Sequence, residues 1–200
     1  MPTIEHSVLE SAERHEPKGV EDASNGMRYT SDGAGSGSWQ YIPTGWGNYG
    51  DNASEQTFTT AQTKLSINKL GTVTNEAYLP LAIRGTGTLW SSDNNRITSI
   101  AQGDKYMVRV ILPVTARSAA NYIELELDIG ASEASVTFSV LKTRLECSRT
   151  PPFSISLSFP LFSLDTFMAN GCSIWMNTDT GSLGVTAPQI MISREHTEVT

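Results

Sequence analysis

The feature that most constrains the fold of this chain is a strict alternation of apolar and polar residues in its second half. Because successive side chains of a β-strand point to opposite faces, this period predicts strands with one face in a core and the other face outside it. The apolar positions are Tyr106, Val108, Val110, Leu112 and Val114; Ile123, Leu125, Leu127 and Ile129; and Phe153, Ile155, Leu157, Phe159 and Leu161.

A fourth strand is predicted over residues 135–147, but its apolar residues change parity between Val140 and Leu141, which indicates a β-bulge there. Turn sequences such as 93–95 and 179–181 separate the strands. About nine short strands predict an all-β fold, a jelly-roll-like antiparallel β-sandwich with an extended N-terminal arm. Weaker alternation predicts the remaining strands over residues 57–67, 78–84, 96–101, 172–177 and 189–194.

The first fifty residues differ from the rest because they are polar and glycine-rich. Such a segment has too little apolar surface to fold alone. Its glycines nevertheless alternate with aromatic residues, which a plain flexible linker would lack. We therefore predict an extended arm over residues 1–52, in which residues 3–14 could form a short helix, and a β-sandwich domain over residues 53–200. The aromatic residues are Trp39, Tyr41, Trp46 and Tyr49.

The charge distribution argues against two classes of partner. The net charge is −7, and residues 1–40 hold seven acidic and three basic residues. With no basic stripe to neutralise phosphates, direct nucleic-acid binding is not expected. No run approaches the roughly 20 apolar residues of a membrane span, and the N-terminus does not resemble a signal peptide. We expect a soluble protein made in a cytoplasm.

Residues suited to catalysis or metal binding are sparse. The three histidines, His6, His15 and His196, all lie near the ends of the chain, so a Ser/His or Cys/His pair would lack a base in the core. Cys147 and Cys172 have no metal-ligand spacing and are expected to be free thiols, although a disulfide is possible. The chain is therefore predicted to be non-enzymatic, with no cofactor and no metal.

An acidic stripe, Glu124, Glu126 and Asp128, has two interpretations. Paired carboxylates could serve glycoside hydrolysis. The favoured interpretation is a solvated strand face, partly balanced by Arg109 on the neighbouring strand of a hairpin.

A candidate subunit interface follows from the polar faces of two strands. Small hydroxyl side chains allow a close approach of another sheet or subunit, and apolar residues at outward positions favour an interface. A solvated surface is the alternative. The candidate interface residues are Met107, Ile111, Ser154, Ser156 and Ser158.

The stretch from His15 to Val20, followed by Tyr29 and then by residues 32–39, resembles a leader at the start of many tailed-bacteriophage virion proteins, including head-fibre, capsid-decoration and tail-associated proteins. The body is similar to the small trimeric β-domain that often follows this leader. The matching body segments are residues 103–114, the strand to Ile129 and Gly130, residues 165–167, residues 170–171 and residues 190–194.

The resemblance implies a structural virion protein, made in the host bacterial cytoplasm, that forms a homotrimer and docks onto a capsid or another virion protein. We expect a capsid decoration (cement) or head-fibre subunit. The alternatives are a tail-associated receptor- or glycan-binding module, for which Trp90 and Trp175 are candidate contacts, and a polysaccharide-degrading enzyme. The docking arm is expected to use His15, Glu16, Pro17, Lys18, Gly19, Trp39, Tyr41 and Trp46.

Overall fold

The computed structural model describes residue 23 and residues 27–31, 37–41, 44–81 and 83–195. These residues form fourteen β-strands and one short helix. In chain order the elements are β1 (Met27–Ser31), β2 (Gly37–Tyr41), β3 (Gly45–Gly50), β4 (Gln56–Phe58), β5 (Thr63–Lys64), β6 (Trp90–Ser91), β7 (Arg96–Ile97), β8 (Lys105–Ser118), β9 (Tyr122–Asp128), β10 (Ser139–Glu146), β11 (Phe153–Phe162), α1 (Asp165–Asn170), β12 (Cys172–Thr178), β13 (Ser182–Val185) and β14 (Gln189–Glu195).

One sheet of the body is built around β8, a strand of 14 residues. β14 and then β13 pair antiparallel with one edge of β8, and β11 pairs with its other edge. β3 lies beside β14, and β4 lies beside β13. The lateral order is therefore β3–β14–β8–β11, and β13 and β4 extend the sheet along β8.

The other sheet is centred on the antiparallel pair of β9 and β12. β10 lies beyond β9, β5 and β7 share the far edge of β12, and β6 pairs with β7. The chain crosses repeatedly from one sheet to the other. One sheet contains β3, β4, β8, β11, β13 and β14, and the other contains β5, β6, β7, β9, β10 and β12. This strand order is that of a jelly roll, which confirms the predicted fold class.

The inward side chains of both sheets fill a single core. The alternation in the sequence sets this core, because the strands predicted over residues 106–114, 123–129 and 153–161 are present as β8, β9 and β11. The bulge predicted near Val140 is also confirmed, since the β9–β10 register shifts between Ser139 and Leu141. Fully buried examples are Tyr106, Val110, Leu112, Ile123, Leu125, Leu127, Ile174, Met176, Ile190 and Ile192.

Four predicted strands differ from the structure. The strand expected over residues 57–67 is divided into β4 and β5, and the strand expected over residues 96–101 is limited to β7, Arg96 and Ile97. The strand expected over residues 78–84 is wrong, because Ile83 and Arg84 donate their backbone N–H groups to the carbonyl of Pro80 in tight turns. The strand expected from residue 135 begins only at Ser139. The N–H groups of Thr137 and Phe138 bond instead to the carboxylate of Asp128, which keeps this stretch out of the sheet ladder.

The boundary between arm and body lies earlier than predicted. The chain divides into two units, Met1–Ile42 and Pro43–Thr200. β3 pairs with β14 over six residues, from Gly45 opposite Arg194 to Gly50 opposite Gln189. Residues 45–50 are therefore part of the sandwich and not of an arm that extends to residue 52. Their alternation was obscured because Gly45, Gly47 and Gly50 occupy half of the strand.

The N-terminal unit contains a β-hairpin where we expected an extended arm. β1 and β2 pair antiparallel with Met27 opposite Tyr41 and Ser31 opposite Gly37. The helix suggested over residues 3–14 lies outside the described residues. The hairpin was missed because each strand has only five residues and few apolar side chains.

Candidate interaction surfaces

The predicted docking residues are divided between regions. Trp39 and Tyr41 lie on β2, and Trp46 lies on β3 in the body sheet. The others, His15, Glu16, Pro17, Lys18 and Gly19, lie outside the described residues.

The hairpin of the N-terminal unit is organised by one aromatic pair. Tyr29 and Trp39 lie directly opposite each other, and their rings meet edge to face with centroids 5.5 Å apart. This geometry is a favourable one for aromatic pairs. Gly37 is required at the start of β2, since a Cβ there would lie 2.3 Å from the carbonyl oxygen of Thr30. The two aromatic rings therefore order each other within the leader.

Trp46 belongs to a local aromatic stack on the body. Its ring is stacked on that of Tyr78, with centroids 4.9 Å apart and planes 16° apart. Its backbone N–H donates to the carbonyl of Tyr78 at 2.9 Å. Both contacts lie within the body, so Trp46 serves the sandwich in addition to any docking role.

The predicted subunit interface lies on the outer face of β8 and β11. Ser154, Ser156 and Ser158 are exposed, and Met107 and Ile111 are half-buried. Arg109 lies between the last two and donates to Ser156 Oγ at 3.2 Å. The structure thus brings these residues together on one face, and that face is mainly polar.

A second surface, which the sequence analysis did not single out, lies where the edges of the two sheets meet. An apolar cleft of about 330 Å³ separates β10 from β11 and the start of α1. Val140, Phe162 and Leu164 at its rim are 46%, 61% and 64% exposed. We call this feature the edge cleft, and its lining residues are Ile129, Val140, Leu141, Pro160, Leu161, Phe162, Leu164 and Phe167.

The local structure explains why these apolar side chains face outward. Val140 sits at the bulge of β10, and a bulge changes the direction of a side chain. Phe162 occupies an even position of β11, whose even positions all point away from the core. Leu164 precedes α1 as its N-cap and has no side-chain capping bond. The signal in the sequence was residues 150–164, which contain no charged residue.

The acidic stripe is not balanced in the way we expected. β8 and β9 lie in different sheets, so the predicted hairpin between them is wrong and Arg109 does not face Glu124. Glu124 instead binds Arg144 at 2.6 Å and Lys142 at 3.5 Å, both on β10. The hydrogen bond from Arg144 lowers the pKa of Glu124. A general acid needs a raised pKa, so this environment does not favour hydrolysis.

Asp128, the last member of the stripe, is fully buried and shapes a loop. Its Oδ1 accepts the N–H groups of Gly130, Thr137 and Phe138 at 3.1, 3.1 and 2.6 Å. The carboxylate thereby closes the loop between β9 and β10. Asp128 is thus a structural residue and not part of a solvated face.

Arg96 holds the same loop from the other side. Its guanidinium donates to the carbonyls of Gly130 and Ser132 at 2.7 and 2.9 Å, and to the carboxylate of Glu133 at 2.9 Å. It also donates to the carbonyl of Asn170 at the end of α1, at 2.7 Å. One buried side chain therefore joins the β9–β10 loop to α1, at the side of the sandwich that bears the edge cleft.

A buried ion pair joins the first residues of β8 to the end of β14. Asp104 is fully buried and accepts hydrogen bonds from Arg194 at 2.5 and 3.0 Å. Asp104 also accepts from the hydroxyl of Tyr106 at 2.9 Å. The sequence analysis did not single out Asp104, because nothing in the local pattern indicated that a carboxylate there would be enclosed.

Other residues considered for chemistry or binding are buried. Cys147 and Cys172 are free thiols with no exposed surface, and burial raises the pKa of Cys172 to about 12. Trp90 is fully buried and Trp175 is 3% exposed, so neither presents a ring for a glycan. Within the described ranges, no three His, Cys, Asp or Glu side chains gather into a metal site. The helix in the described part of the chain is too short to cross a membrane.

Comparisons with known proteins give similarity of fold only. No protein-family model matches the chain, and no curated protein matches it in sequence. Among solved structures, the PRD1 vertex protein P5 is 12% identical with a TM-score of 0.43, over 79% of this chain and 100% of that chain. Eiger TNF from S. frugiperda is 11% identical with a TM-score of 0.38, over 78% and 96%. The Broad Bean Stain Virus structure is 10% identical with a TM-score of 0.28, over 88% of both chains. At these TM-scores the similarities assign the chain to none of these proteins.

Proposed function

We propose that this chain is a non-enzymatic structural protein of a tailed-phage virion, a trimeric capsid decoration or head-fibre subunit that docks through its N-terminal unit. The observation that carries this proposal is the division of the chain into a leader and a separate jelly-roll body. The leader bears the segment that resembles phage virion leaders, and the body is a fold that capsid proteins use.

The arrangement of polar groups in the body is consistent with a structural role. Glu124 is ion-paired with Arg144 and Asp128 is bonded to backbone N–H groups, so both are committed to internal contacts. The space between the sheets is filled by apolar side chains. These features support display of a stable domain on a particle over chemistry inside it.

A reconstitution experiment tests the proposal. Purified particles from the phage whose genome carries this reading frame, deleted for it, are mixed with the full chain or with residues 43–200, and sedimented. We expect the full chain to sediment with the particles and residues 43–200 to remain in the supernatant. Equal binding of both would assign docking to the body. Failure of the full chain to bind would overturn the virion role.

Electron microscopy of the decorated particles separates the proposed location from the alternative. Density on the head supports a decoration or head-fibre subunit. Density on the tail, together with binding of the full chain to host cells, would replace it with a receptor-binding module. The buried positions of Trp90 and Trp175 count against that alternative.

A further inference from the structure

We propose that the edge cleft is the surface through which copies of this chain bind one another, with the cleft of each copy near the symmetry axis. This inference deepens the proposed function, because the expectation of a homo-oligomer rests on it. It assigns the contact to Val140 and Leu164, together with Phe162 at the end of β11, in place of the middle of the outer face around Met107 and Ile111.

The first argument is the pair of open strand edges beside the cleft. Within the described residues, β10 pairs only with β9 and β11 pairs only with β8. An exposed strand edge is open to other strands unless charge, proline, a bulge or a cover protects it. β10 carries a bulge and the charged residues Lys142 and Arg144. β11 has ten residues, none of them charged, and Pro160 near its end is its one residue of a protective kind, which leaves residues 153–159 unprotected. The β11 edge therefore requires a cover.

The second argument is charge. Each copy carries a net charge of −7, so two copies repel overall, and the contact that adds least to this repulsion is one between neutral surfaces. Residues 150–164 form an uninterrupted neutral stretch that includes all of β11 and the rim residues Phe162 and Leu164. A partner of opposite charge would gain little at this surface, whereas an identical copy would bring no like-charged side chains of residues 150–164 into contact there.

The third argument is area. The exposed apolar residues at the rim of the cleft leave on the order of 300 Å² accessible, within the range of the largest patch of a typical monomer. A stable interface buries about 800 Å² on each partner. The patch supplies the apolar centre of such an interface, and the adjoining edge of β11 supplies the rest. The exposed residues are Val140, Phe162 and Leu164.

The outer face of β8 and β11 is less suited to this contact. Exposed Arg109 stands in its middle, and equivalent copies would bring several such charges together. The three serines beside it are solvated hydroxyls, which gain little on burial. That face is explained as the solvent side of the sheet.

Molar mass in solution tests the inference. Light scattering after size-exclusion chromatography of the full chain is expected to give about three times 21.7 kDa at micromolar concentration, the mass of the proposed trimer. The variant Phe162→Asp/Leu164→Lys keeps the net charge and should raise the apparent dissociation constant at least about 100-fold. A monomeric wild-type chain would overturn the inference without touching the virion role, which particle binding tests separately.

Two control variants address the competing surface and general effects. Ile111→Asp/Met191→Lys alters the outer face, where Met191 is 39% exposed, and should leave the mass unchanged. Leu70→Lys, at a side chain that is 70% exposed and far from the cleft in sequence, should also leave it unchanged. If the outer-face variant dissociates the oligomer and the cleft variant does not, the inference is wrong.

Cross-linking gives a second measurement that does not depend on destabilising the contact. Leu164→Cys is treated with a short bismaleimide, and Leu70→Cys serves as the matched control. Cys147 and Cys172 are buried and should not react in the folded chain. We expect cross-linked chains only for Leu164→Cys. Equal cross-linking at both positions, or none at residue 164, would contradict a cleft near the symmetry axis.

Discussion

At the scale of residues, the body contains a few buried polar side chains that the alternation of apolar and polar residues does not predict. Asp104 and Arg194 are both buried, and their ion pair joins the residue before β8 to the end of β14. Removing one partner of such a pair leaves an uncompensated charge in a poorly solvated site. Asp104 also binds Tyr106, so its loss affects two further buried groups.

We expect Asp104→Ala to lower the free energy of unfolding by about 3–5 kcal/mol, because it leaves the Arg194 guanidinium without its carboxylate. Glu195→Ala removes the exposed neighbouring pair with Lys105 and should cost less than about 1 kcal/mol. Urea denaturation followed by circular dichroism measures both. Similar costs for the two variants would show that the buried pair contributes no more to the free energy of unfolding than the exposed pair.

Two buried tyrosines predict a loss of stability in alkali. Burial raises the pKa of Tyr49 to about 12 and the pKa of Tyr106 to about 12. An unfolded tyrosine ionises near pH 10. The stabilisation is therefore complete below pH 10 and falls as the pH rises from about 10 to about 12, since only the unfolded chain ionises there.

Urea midpoints between pH 9 and pH 11 test this dependence. Tyr49→Phe should be less stable than the wild type at pH 7, because the hydroxyl accepts from the N–H of Leu89 at 2.9 Å. Its stability should decline less steeply above pH 10, since one ionising group is gone. An unchanged slope would mean that Tyr49 does not contribute to the alkaline transition.

At the scale of elements, the alternation of apolar and polar residues predicted the long strands well, but it did not predict which strands pair with each other. β8, β9 and β11 follow from alternation alone, because each buries one face. β8 and β9 are separated by only three residues, Ala119 to Asn121, which is typical of a hairpin. They nevertheless enter different sheets, since β8 pairs with β11, β13 and β14 while β9 pairs with β10 and β12. Both arrangements bury the same residues, so a local pattern cannot distinguish them.

The loop between β9 and β10 should depend on Arg96. Arg96→Met keeps the apolar stem of the side chain but removes its bonds to the carbonyls of Gly130, Ser132 and Asn170. We expect faster hydrogen exchange across residues 129–138 and a loss of about 2–4 kcal/mol of stability.

Lys64→Met is the matched control for Arg96. Lys64 also pairs with Glu133 but makes none of the three carbonyl bonds. Its exchange rates in the loop should stay near those of the wild type. Equal exchange in the two variants would indicate that the ion pair with Glu133, and not the carbonyl bonds of Arg96, holds the loop.

At the scale of the whole molecule, the position of β3 decides where the body begins. The leader and β3 share glycines and aromatic residues, so composition placed both in one arm. The difference between them is tertiary, because Tyr49 is fully buried in the core and β3 completes a sheet edge beside β14. The composition of residues 45–50 does not indicate that they pair with β14, a strand about 140 residues later in the chain.

Truncation tests this boundary. A chain that begins at residue 43 should keep a cooperative thermal transition within a few degrees of the full chain. A chain that begins at residue 51 loses β3 and the Tyr49 side chain, and it should unfold at least about 10 °C lower or aggregate. Differential scanning calorimetry measures both. Equal transition temperatures for the two truncated chains would show that residues 45–50 belong to the arm and not to the body.

The candidate surfaces, like the boundary between arm and body, depend on tertiary pairing that the sequence pattern does not contain. The sequence placed Met107, Ile111 and the three serines on one face, and the structure has them there. It did not indicate the edge cleft, because Val140, Phe162 and Leu164 come from a bulge, a strand end and a loop that meet only in the folded sandwich. Outward apolar positions that lie far apart in the chain become a surface only after the sheets are paired.

The antiparallel pairing of β3 with β14 has a practical consequence for anyone who would use this protein to carry cargo. Gly45 lies opposite Arg194, so a peptide inserted close to Arg194 would stand beside the start of β3. β8 runs from this end, where Lys105 faces Glu195, to Ser118 beside the β12–β13 turn, a span of about 45 Å. An epitope grafted at that distant turn would stand about one strand length from the Gly45–Arg194 pair, whereas an insertion close to Arg194 would lie directly against β3.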